Sequence, residues 1–463
     1  AFDEEKEWDL ADHLNDSQKA AVKFALSARD VSIVHGPPGT GKTTTVIEII
    51  RQAVLRGQKV LACAPSNTGV DNLLERIIPL GIPVVRIGHP ARVHEMLQQH
   101  TLDALIENDE AMDLVKDYLK EAERLSKQAN RYTRSKPMPG YRQNLREEIR
   151  DLREAAKRLE RQVSEGILDH ADVVCATTTF DPSVLGDRHF DLAVIDEACQ
   201  STEPGIWPVV TRANRLILAG DHCQLPPTVL SAEAAAEGFA VSMMERLVLT
   251  TGSKLTRQLK IQYRMHQAIM GFSSQEFYDN TLVADPRVVS HLLADLPNLV
   301  TDELTDSPLL FIDSAGANWE EQLEPDGESK FNPDEGRLLL RLLEQLLDDG
   351  LAPKEIAVIA PYAAQVRWLR DHCNESRVEI DTVDGFQGRE KEAVLISLVR
   401  SNSTGEIGFL GDKRRMNVAM TRARRKLLMI GDSATLGQHD FFSRLLSYFE
   451  QQGSYKSVWE YGI

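Results

Sequence analysis

Short apolar runs alternate with amphipathic segments along most of the chain. These runs lie at residues 31–34, 59–64, 172–176, 192–195 and 216–219, and again at 309–312, 356–360, 378–382, 394–398 and 427–430. Near-continuous apolar strands separated by helical segments are typical of parallel sheets covered by helices on both faces. The pattern predicts two α/β domains, residues 1–254 and 255–463, each built on a parallel sheet.

A polar, strand-poor stretch from about residue 91 to residue 170 interrupts the first domain. In its second half, apolar residues recur at a 4-3-4-3-4 spacing, which predicts a helix with one apolar seam: Leu145, Ile149, Leu152, Ala156, Leu159 and Val163. Pro137-Met138-Pro139-Gly140 is a turn signal just before this helix. We therefore expect an inserted helical hairpin. A solvated helical arm without a role is the alternative interpretation.

A phosphate-binding loop follows the first apolar run. The segment Gly36-Pro37-Pro38-Gly39-Thr40-Gly41-Lys42-Thr43 matches G-x-x-x-x-G-K-[ST] between a predicted strand and a predicted helix. In this loop the glycines let backbone N–H groups converge on phosphate oxygens. The lysine reaches the β- and γ-phosphates, and the hydroxyl of the last residue ligates Mg²⁺. The sequence thus predicts an ATP·Mg²⁺ or GTP·Mg²⁺ site.

Two carboxylates end the apolar strand at 192–195. At that position Asp196 is placed to hold Mg²⁺, and Glu197 is placed to polarise the attacking water. Gln224 follows the next strand and is a candidate for sensing the γ-phosphate, although an ordinary polar loop is an equally good interpretation. Neighbouring His222 and Cys223 have no partner pair at metal-ligand spacing, so no metal is predicted there. A nucleoside triphosphatase, a kinase and a GTPase all remain open at this point.

The second domain lacks a phosphate loop of its own but has arginines in polar loops. Arg264 lies in Gln262–His266, and Arg422 lies in Asn417–Arg424. Charge that develops on a γ-phosphoryl group needs a cation that can be delivered and withdrawn, which is the role of an arginine finger. We expect both arginines to act this way if the domains close over ATP. A surface salt bridge is the alternative for either one.

The overall charge first argues against a nucleic-acid partner. The 463 residues include 53 Lys and Arg against 70 Asp and Glu, a net charge of −17. Taken alone, that balance argues against a simple basic nucleic-acid-binding module and against a polybasic membrane anchor. The five cysteines contain no C-x-x-C pair, and no run is apolar enough to span a membrane. We expect a protein of a reducing intracellular compartment, without a membrane partner.

Two segments nevertheless contain basic residues and no acidic ones. The first is Arg124, Lys127, Arg131, Arg134, Lys136, Arg142 and Arg146; the second is Lys413, Arg414, Arg415, Arg422, Arg424, Arg425 and Lys426. Such clusters are the electrostatic footprint of phosphate binding. Tyr132 and Tyr141 within the first segment are candidates for base stacking, or equally for packing. A solvated helix face remains the alternative for this segment.

The ordered set of motifs resembles the superfamily 1 helicases. The motifs are Asn15–Gln18, Gly36–Thr43, Ala64–Asn67, Ala176–Thr178, Asp196–Gln200, Gly220–Pro227, Gln262–His266, Val383–Lys391 and Asn417–Arg424. They are similar to those of the 5′→3′ branch typified by the nonsense-mediated decay helicase, and within it to the immunoglobulin mu-binding protein 2 helicases. The resemblance implies two tandem RecA-like P-loop domains. It also implies an ATP- and Mg²⁺-dependent helicase or translocase that moves 5′→3′ on single-stranded RNA or DNA through domain closure.

The same resemblance implies roles for individual residues. Gln18 would recognise adenine, Tyr263 would stack on it, and Glu390 would bind the ribose. Gln224, Arg264 and Arg422 would contact the γ-phosphate and join Lys42 and Glu197 in catalysis. The single strand would follow residues that bind phosphates without reading sequence: Pro65, Ser66, Asn67, Thr177, Pro361, Tyr362 and Thr382.

Two alternatives to a helicase stay open. One is a nucleic-acid-stimulated ATPase that remodels ribonucleoproteins without separating strands, and the other is a P-loop enzyme that acts on small molecules or proteins. Fourteen residues precede Asn15, so we expect the β-barrel and stalk that relatives carry there to be absent or trimmed. We expect a monomer of the cytoplasm, the nucleus or both.

Overall fold

The computed structural model describes residues 8–130, 140–325, 327–386 and 388–462. The chain divides into two compact units. The first unit comprises residues 1–34, 43–220 and 227–257, and the second comprises residues 35–42, 221–226 and 258–463. No helix in the described ranges combines the length and the apolar character that crossing a membrane requires.

The first unit is organised around a largely buried sheet. Its strands are β1 (Val31–His35), β2 (Val60–Ala64), β3 (Val84–Arg86), β4 (Val173–Thr177), β5 (Leu192–Ile195), β6 (Leu216–Gly220) and β7 (Thr256–Gln258). They are ordered β3-β4-β2-β5-β6-β1-β7. The pairs β3/β4, β4/β2, β2/β5 and β5/β6 are parallel, so their carboxyl ends share one edge. Every residue of β2, β5 and β6 is buried, which explains their continuous apolar runs.

Helices connect and cover these strands. They are α1 (Asp16–Ser27), α2 (Lys42–Leu55), α3 (Asn67–Ile77), α4 (Leu102–Glu107), α5 (Ala111–Asn130), α6 (Tyr141–His170), α7 (Glu203–Val210), α8 (Ala232–Ala234) and α9 (Met243–Thr251). Between β3 and β4, α5 and α6 pack on each other through Ala122, Leu125, Leu145 and Ile149. The helix with the 4-3 seam therefore has a partner helix, as expected for a helical hairpin.

The second unit contains another parallel sheet. The unit's strands are β8 (Ile261–Gln262), β9 (Val283–Ala284), β10 (Leu309–Asp313), β11 (Gln322–Leu323), β12 (Lys330–Phe331), β13 (Ile356–Ala360), β14 (Glu379–Thr382), β15 (Lys391–Ser397), β16 (Ala423–Gly431) and β17 (Tyr455–Ser457). The main sheet has the order β14-β13-β15-β16-β10-β17, and all of its pairs are parallel. Alternate residues of its strands enter different cores: Phe311 and Ile359 face one, Ile312 and Val358 the other.

Helices cover both faces of this second sheet. They are α10 (Gln267–Phe277), α11 (Pro333–Asp348), α12 (Ala363–His372), α13 (Lys413–Met420), α14 (Ser433–Leu436) and α15 (Asp440–Gln451). Residues of α10, α13 and α15 belong to one core, whereas residues of α11 and α12 belong to the other. The predicted fold class, two α/β units with parallel sheets, is confirmed.

Candidate nucleotide and nucleic-acid site

The phosphate loop joins β1 to the first turn of α2. Gly39 and Gly41 both have a φ of 74°, a left-handed conformation that glycine adopts without strain. A Cβ on Gly36 would lie 2.6 Å from the Cβ of Lys42, so this position tolerates only glycine. The Thr40 hydroxyl donates to the Pro37 carbonyl at 2.7 Å and fixes the turn. The loop thus leads directly into a helix N-terminus, where backbone N–H groups favour an anion.

The predicted metal ligands are in contact within the first unit. The Thr43 hydroxyl donates to Asp196 Oδ2 at 3.3 Å, and Asp196 is 5% exposed at the end of β5. A hydroxyl and a carboxylate are the hard oxygen donors that Mg²⁺ prefers. The chemistry of these two side chains therefore fits a magnesium ion.

Glu197 leaves the strand in an unusual backbone conformation. Its φ is 53°, and its N–H donates to Asp196 Oδ1 at 2.9 Å. Its carboxylate accepts a hydrogen bond from Gln200 Nε2 at 2.9 Å. A positive φ at a residue other than glycine is uncommon and concentrates at functional sites. Glu197 thus combines an uncommon backbone conformation with a carboxylate that is oriented by Gln200.

A buried network surrounds Asp221 in the second unit. Its carboxylate lies 3.0 Å from His35 Nε2 and accepts hydrogen bonds from Gln224 Nε2 at 2.7 Å and the Tyr278 hydroxyl at 2.8 Å. Asn417 Nδ2 donates to the same tyrosine oxygen at 2.8 Å. Burial by itself raises the pKa of Asp221, but the hydrogen bonds outweigh it and lower the pKa to about 2. Asp221 is therefore an anion that holds one end of the Gln224 amide.

The other end of that amide meets a predicted arginine finger. Arg422 Nη2 donates to Gln224 Oε1 at 3.3 Å, and Arg422 is 3% exposed. Its Nε and Nη1 donate to the carbonyls of Val418 and Arg389 at 2.9 and 3.2 Å. Gln224 thus links Asp221 to Arg422 by way of its amide, so the polar-loop interpretation does not describe it fully.

Tyr263 and Arg264 lie against the phosphate loop. Tyr263 N–H donates to the Gly39 carbonyl at 2.8 Å, and a Cβ on Gly39 would lie 2.8 Å from the Cβ of Arg264. The guanidinium of Arg264 pairs with Glu390 and also donates to the Thr421 carbonyl at 3.0 Å. The structure therefore brings together the Arg264 and Glu390 side chains, both of which the resemblance assigned to ATP, whereas the Tyr263 ring lies 5.2 Å from the guanidinium carbon of Arg287.

Gln18 occupies a buried position at the start of α1. Its backbone N–H donates to Asn15 Oδ1 at 2.9 Å, and its side-chain oxygen accepts from the Asn15 N–H at 3.0 Å. This reciprocal pair is a capping box. The side chain that the resemblance assigns to adenine thus also fixes the beginning of the helix.

The predicted nucleic-acid residues lie at equivalent places in the two sheets. In the first unit, Pro65–Asn67 follow β2, and Ala64 pairs in register with Thr177 at the end of β4. Ser66 is exposed and caps α3 by accepting from the Gly69 N–H at 3.0 Å. In the second unit, Pro361 and Tyr362 follow β13, and Ala360 pairs with Thr382 at the end of β14. Ligands of parallel α/β sheets bind outside such carboxyl ends.

Tyr362 differs from the other residues of the predicted path because it is 5% exposed. Its hydroxyl accepts from Arg400 Nη1 at 3.0 Å and donates to the Ile407 carbonyl at 3.3 Å. The Tyr362 side chain thus supports the neighbouring loop, whereas Thr382 is partly exposed.

The two basic segments differ in what they expose. On α5, Arg124 pairs with Glu121 and Lys127 with Glu123; Arg142 and Arg146 are exposed on α6. The Tyr141 hydroxyl accepts from Gln128 Nε2 at 2.7 Å, so this tyrosine also contacts α5. The other members of this segment (Arg131, Tyr132, Arg134 and Lys136) lie outside the described residues.

The segment 413–426 is not one basic surface, which corrects the sequence interpretation. Arg424 and Arg425 pair with Glu392 at 2.9 and 2.8 Å, and Arg422 and Lys426 are buried. Burial lowers the pKa of Lys426 to about 7. The charges diverge because part of the segment forms the interior strand β16. Lys413, Arg414 and Arg415 at the start of α13 are at least partly exposed, whereas the partly exposed Arg424 and Arg425 are both paired with Glu392.

Sequence reasoning missed the network around Asp221. His35, Asp221, His222 and Cys223 bring potential ligand atoms to within 4.8 Å of one another, although no ligand-spaced pair occurs in the sequence. Asp221 already accepts several hydrogen bonds, whereas His222 Nδ1 has no hydrogen-bond partner among the described residues. A polar run after a buried strand was the available signal for Asp221, but nothing in the sequence connected it to Tyr278 or Asn417.

Comparisons with known proteins match nearly the whole chain. Two family models, each described as an AAA domain, match residues 13–232 and 239–434. The DNA-binding protein SMUBP-2 of Mesocricetus auratus is 47% identical over 97% of this chain and 46% of its own length. The DNA polymerase alpha-associated DNA helicase A of Schizosaccharomyces pombe is 41% identical, over 95% of this chain and 66% of its own length.

An archaeal relative matches the chain over most of its own length. An uncharacterized ATP-dependent helicase of Methanocaldococcus jannaschii is 37% identical over 94% of this chain and 70% of that protein. By contrast, the chain spans about half the length of the SMUBP-2 relatives.

Proposed function

Because the chain belongs to the superfamily 1 helicases related to the nonsense-mediated decay helicase, we propose that it couples ATP hydrolysis to 5′→3′ movement along single-stranded RNA or DNA. The observation that carries the proposal is the contact between Thr43 and Asp196 at the start of a phosphate-loop helix. A loop, a helix N-terminus and two oxygen ligands are the parts that a nucleoside triphosphatase requires.

In the proposed reaction, water attacks the γ-phosphorus and the bond to the β,γ-bridging oxygen breaks, which yields ADP and phosphate. Glu197 accepts the proton of the attacking water. Lys42 holds the β- and γ-phosphates, while Arg264 and Arg422 stabilise the charge that spreads over the γ-phosphoryl oxygens. Mg²⁺ held by Thr43 and Asp196 would neutralise negative charge on the phosphates.

Coupling to the strand would pass through Gln224. Its amide lies between Asp221 and Arg422, so a change in Arg422 upon loss of the γ-phosphate alters the partner of Gln224 Oε1.

Gln18, Tyr263 and Glu390 would bind the adenosine. The strand would cross the carboxyl edges at Pro65, Ser66, Asn67 and Thr177 in one unit and at Pro361, Tyr362 and Thr382 in the other. The proposal includes domain closure upon ATP binding and a monomeric enzyme of the cytoplasm or nucleus.

The test is ATPase activity measured with and without single-stranded oligonucleotides, beside unwinding of duplexes with 5′ or 3′ overhangs made as RNA and as DNA. We expect single strands to stimulate the ATPase, and only duplexes with a 5′ overhang to unwind. Stimulation without unwinding would instead favour the remodelling ATPase. An ATPase indifferent to nucleic acid would contradict the proposal and favour a P-loop enzyme with another substrate.

A further inference from the structure

An exposed aromatic ring stands at the carboxyl edge of the second sheet. Phe409 is 59% exposed on the short turn Gly408–Gly411, just before α13. One edge of its ring contacts Tyr362, with centroids 5.6 Å apart and planes inclined by 64°. A single exposed apolar side chain is ordinary on a protein surface. The surroundings of this one are what set it apart.

Contacts with Tyr362 and Arg400 hold the turn that carries Phe409 in place. Tyr362 is buried, and its hydroxyl accepts a hydrogen bond from the Phe409 N–H at 3.3 Å. Gly408 has a φ of 53°, and a Cβ there would lie 2.4 Å from Arg400 Nη1 and 2.6 Å from the Tyr362 hydroxyl. The backbone therefore presents the ring from a fixed position. An aromatic side chain so placed loses little conformational entropy when it binds a ligand.

A cation accompanies the ring. The guanidinium carbon of Arg415 lies 5.4 Å from the centroid of Phe409. Its Nε has no hydrogen-bond partner among the described residues, and its ion-pair contact with Asp384 is long, at 3.9 Å. The neighbouring Arg414 pairs with Asp412 at 3.5 Å. Arg415 is thus the arginine of this turn that is less firmly held by an acid.

The ring and the cation lie beside the proposed strand path. Tyr362 directly follows β13, and Asp384 comes two residues after Thr382, the end of β14. The register of these strands places Ala360 opposite Thr382. Phe409 and Arg415 therefore contact both of the loops to which the path is assigned in this unit.

We propose that Phe409 stacks on one base of a bound single strand while Arg415 binds an adjoining phosphate. The inference rests on the proposed function and adds a contact that grips bases rather than backbone. Aromatic stacking tolerates every base because each has a π face, which suits movement along any sequence. The chemical class of the ligand is therefore an unpaired nucleotide within RNA or DNA.

The test is equilibrium binding of the full chain to two fluorescent single strands of equal length, one with bases and one abasic. Phe409→Ala should weaken binding of the base-bearing strand about 5- to 150-fold and leave the abasic strand unaffected. Phe409→Trp should restore binding. Arg415→Ala should weaken both strands and reduce the slope of log K against log salt by about 0.7. Trp459→Ala removes another exposed aromatic ring of the same unit and serves as the matched control.

The outcomes separate this inference from the proposed function. Unchanged binding of the base-bearing strand by Phe409→Ala would overturn the inference while leaving the function intact. Equal losses on both strands would also overturn it, since the ring would then act on the fold or on a phosphate. A wild-type chain that bound neither strand would refute the proposed function and, with it, this contact.

Discussion

Glu197 has an unusual backbone conformation and is the residue to which the proposed mechanism assigns the catalytic base. It is adjacent to the buried Asp196, and its carboxylate is oriented by Gln200. A glutamine can keep the hydrogen bond from Gln200, because its side-chain oxygen still accepts. It cannot accept the proton of the attacking water, so binding and turnover should separate at this residue.

We therefore expect Glu197→Gln to bind ATP with nearly wild-type affinity and to lower the rate of hydrolysis roughly 10²- to 10⁴-fold. A fluorescent ATP analogue measures the affinity, and phosphate release measures the rate. Glu203→Gln is the control and should have little effect, because Glu203 is a partly exposed carboxylate of α7 that pairs with Arg246 of α9. Turnover at the wild-type rate in Glu197→Gln would remove Glu197 from the mechanism.

A second carboxylate has an environment of a different kind. Glu335 of α11 is fully buried; its Oε2 accepts from the Ser397 hydroxyl at 2.7 Å and the Val399 N–H at 2.8 Å. Its Oε1 has no partner among the described residues. Burial is the main cause that raises its pKa to about 8, and the nearby Asp432 and Glu321 add to the rise. Folded Glu335 therefore holds a proton that an ordinary glutamate has lost.

This proton makes stability depend on pH. Between the ordinary value of 4.5 and about 8, the folded state binds one proton more than the unfolded state. The stabilisation is complete below the lower value and is lost as the pH rises through the upper one, by up to about 1.4 kcal/mol per pH unit. Relative to Glu335→Gln, the wild type should lose stability in urea unfolding between about pH 5.5 and about pH 7.5. Glu344→Gln, exposed on the same helix, is the control, and parallel pH profiles for wild type and Glu335→Gln would contradict the prediction.

At the scale of residues, the sequence predicted side chains that lie in short motifs, but it did not predict contacts between residues that are far apart in the chain. Thr43 and Asp196 could be paired because each sits in a motif with a known chemical role. Asp221, Tyr278 and Asn417 form one buried network, but they come from separate parts of the chain and only their packing unites them. The sequence placed Lys426 in a basic, phosphate-binding segment, but the residue is buried in β16. A run of basic residues does not reveal that one of them belongs to an interior strand.

The strands that the sequence missed have little apolar signal. β7 contains Thr256, Arg257 and Gln258 and is only partly buried, so no hydrophobic run marked it. β3 and β17 have three residues each and lie at the edges of their sheets. Central strands such as β2 and β13 are fully buried, and their runs were evident. Burial on both faces is what makes a strand readable from its sequence.

The hairpin formed by α5 and α6 gives a prediction at the scale of elements. Arg142 and Arg146 are exposed on α6, whereas Arg124 and Lys127 of α5 are engaged with glutamates of their own helix. Replacing Arg142 and Arg146 with alanine should weaken single-strand binding and flatten its salt dependence by about 0.7 per lost phosphate contact. A titration at several salt concentrations measures the slope.

The same helix provides the control. Arg161 pairs with Glu165 about four turns further along α6, so Arg161→Ala changes the net charge as much as either of the two replacements does, without touching the basic segment. The salt slope of Arg161→Ala should equal that of the wild type. Equal salt slopes for the wild type, the double variant and Arg161→Ala would show that Arg142 and Arg146 do not bind phosphates. That result would favour the interpretation of the hairpin as a solvated arm.

At the scale of the whole molecule, each unit has a hydrophobic core of its own. Leu218 of β6 belongs to the core of the first unit, and Leu343 of α11 belongs to a core of the second. Separate cores favour separate unfolding transitions, so a single two-state description should fail. The net charge of −17 is a total for the chain, and it does not show where the charged side chains are exposed to a ligand.

We expect calorimetry to resolve two transitions. Leu218→Ala should lower the midpoint temperature of one transition and Leu343→Ala that of the other. The reason is that truncating a buried leucine costs about 2–5 kcal/mol of stability in the core that contains it. Leu249→Ala, which truncates a 73% exposed leucine, is the control and should shift neither. One transition that both buried substitutions lower equally would show that the units unfold as one.

The length of α6 has a consequence for how this arm can vary among descendants of the gene. Its 30 residues extend about 45 Å, whereas a five-residue strand of the sheet that it rejoins extends about 17 Å. Insertions or deletions of about seven or eleven residues in both helices, which are close to whole numbers of turns, preserve the apolar seam, whereas a change of one or two residues rotates it out of contact. The length of the hairpin can therefore change only by such increments, and it can do so without altering the phosphate loop.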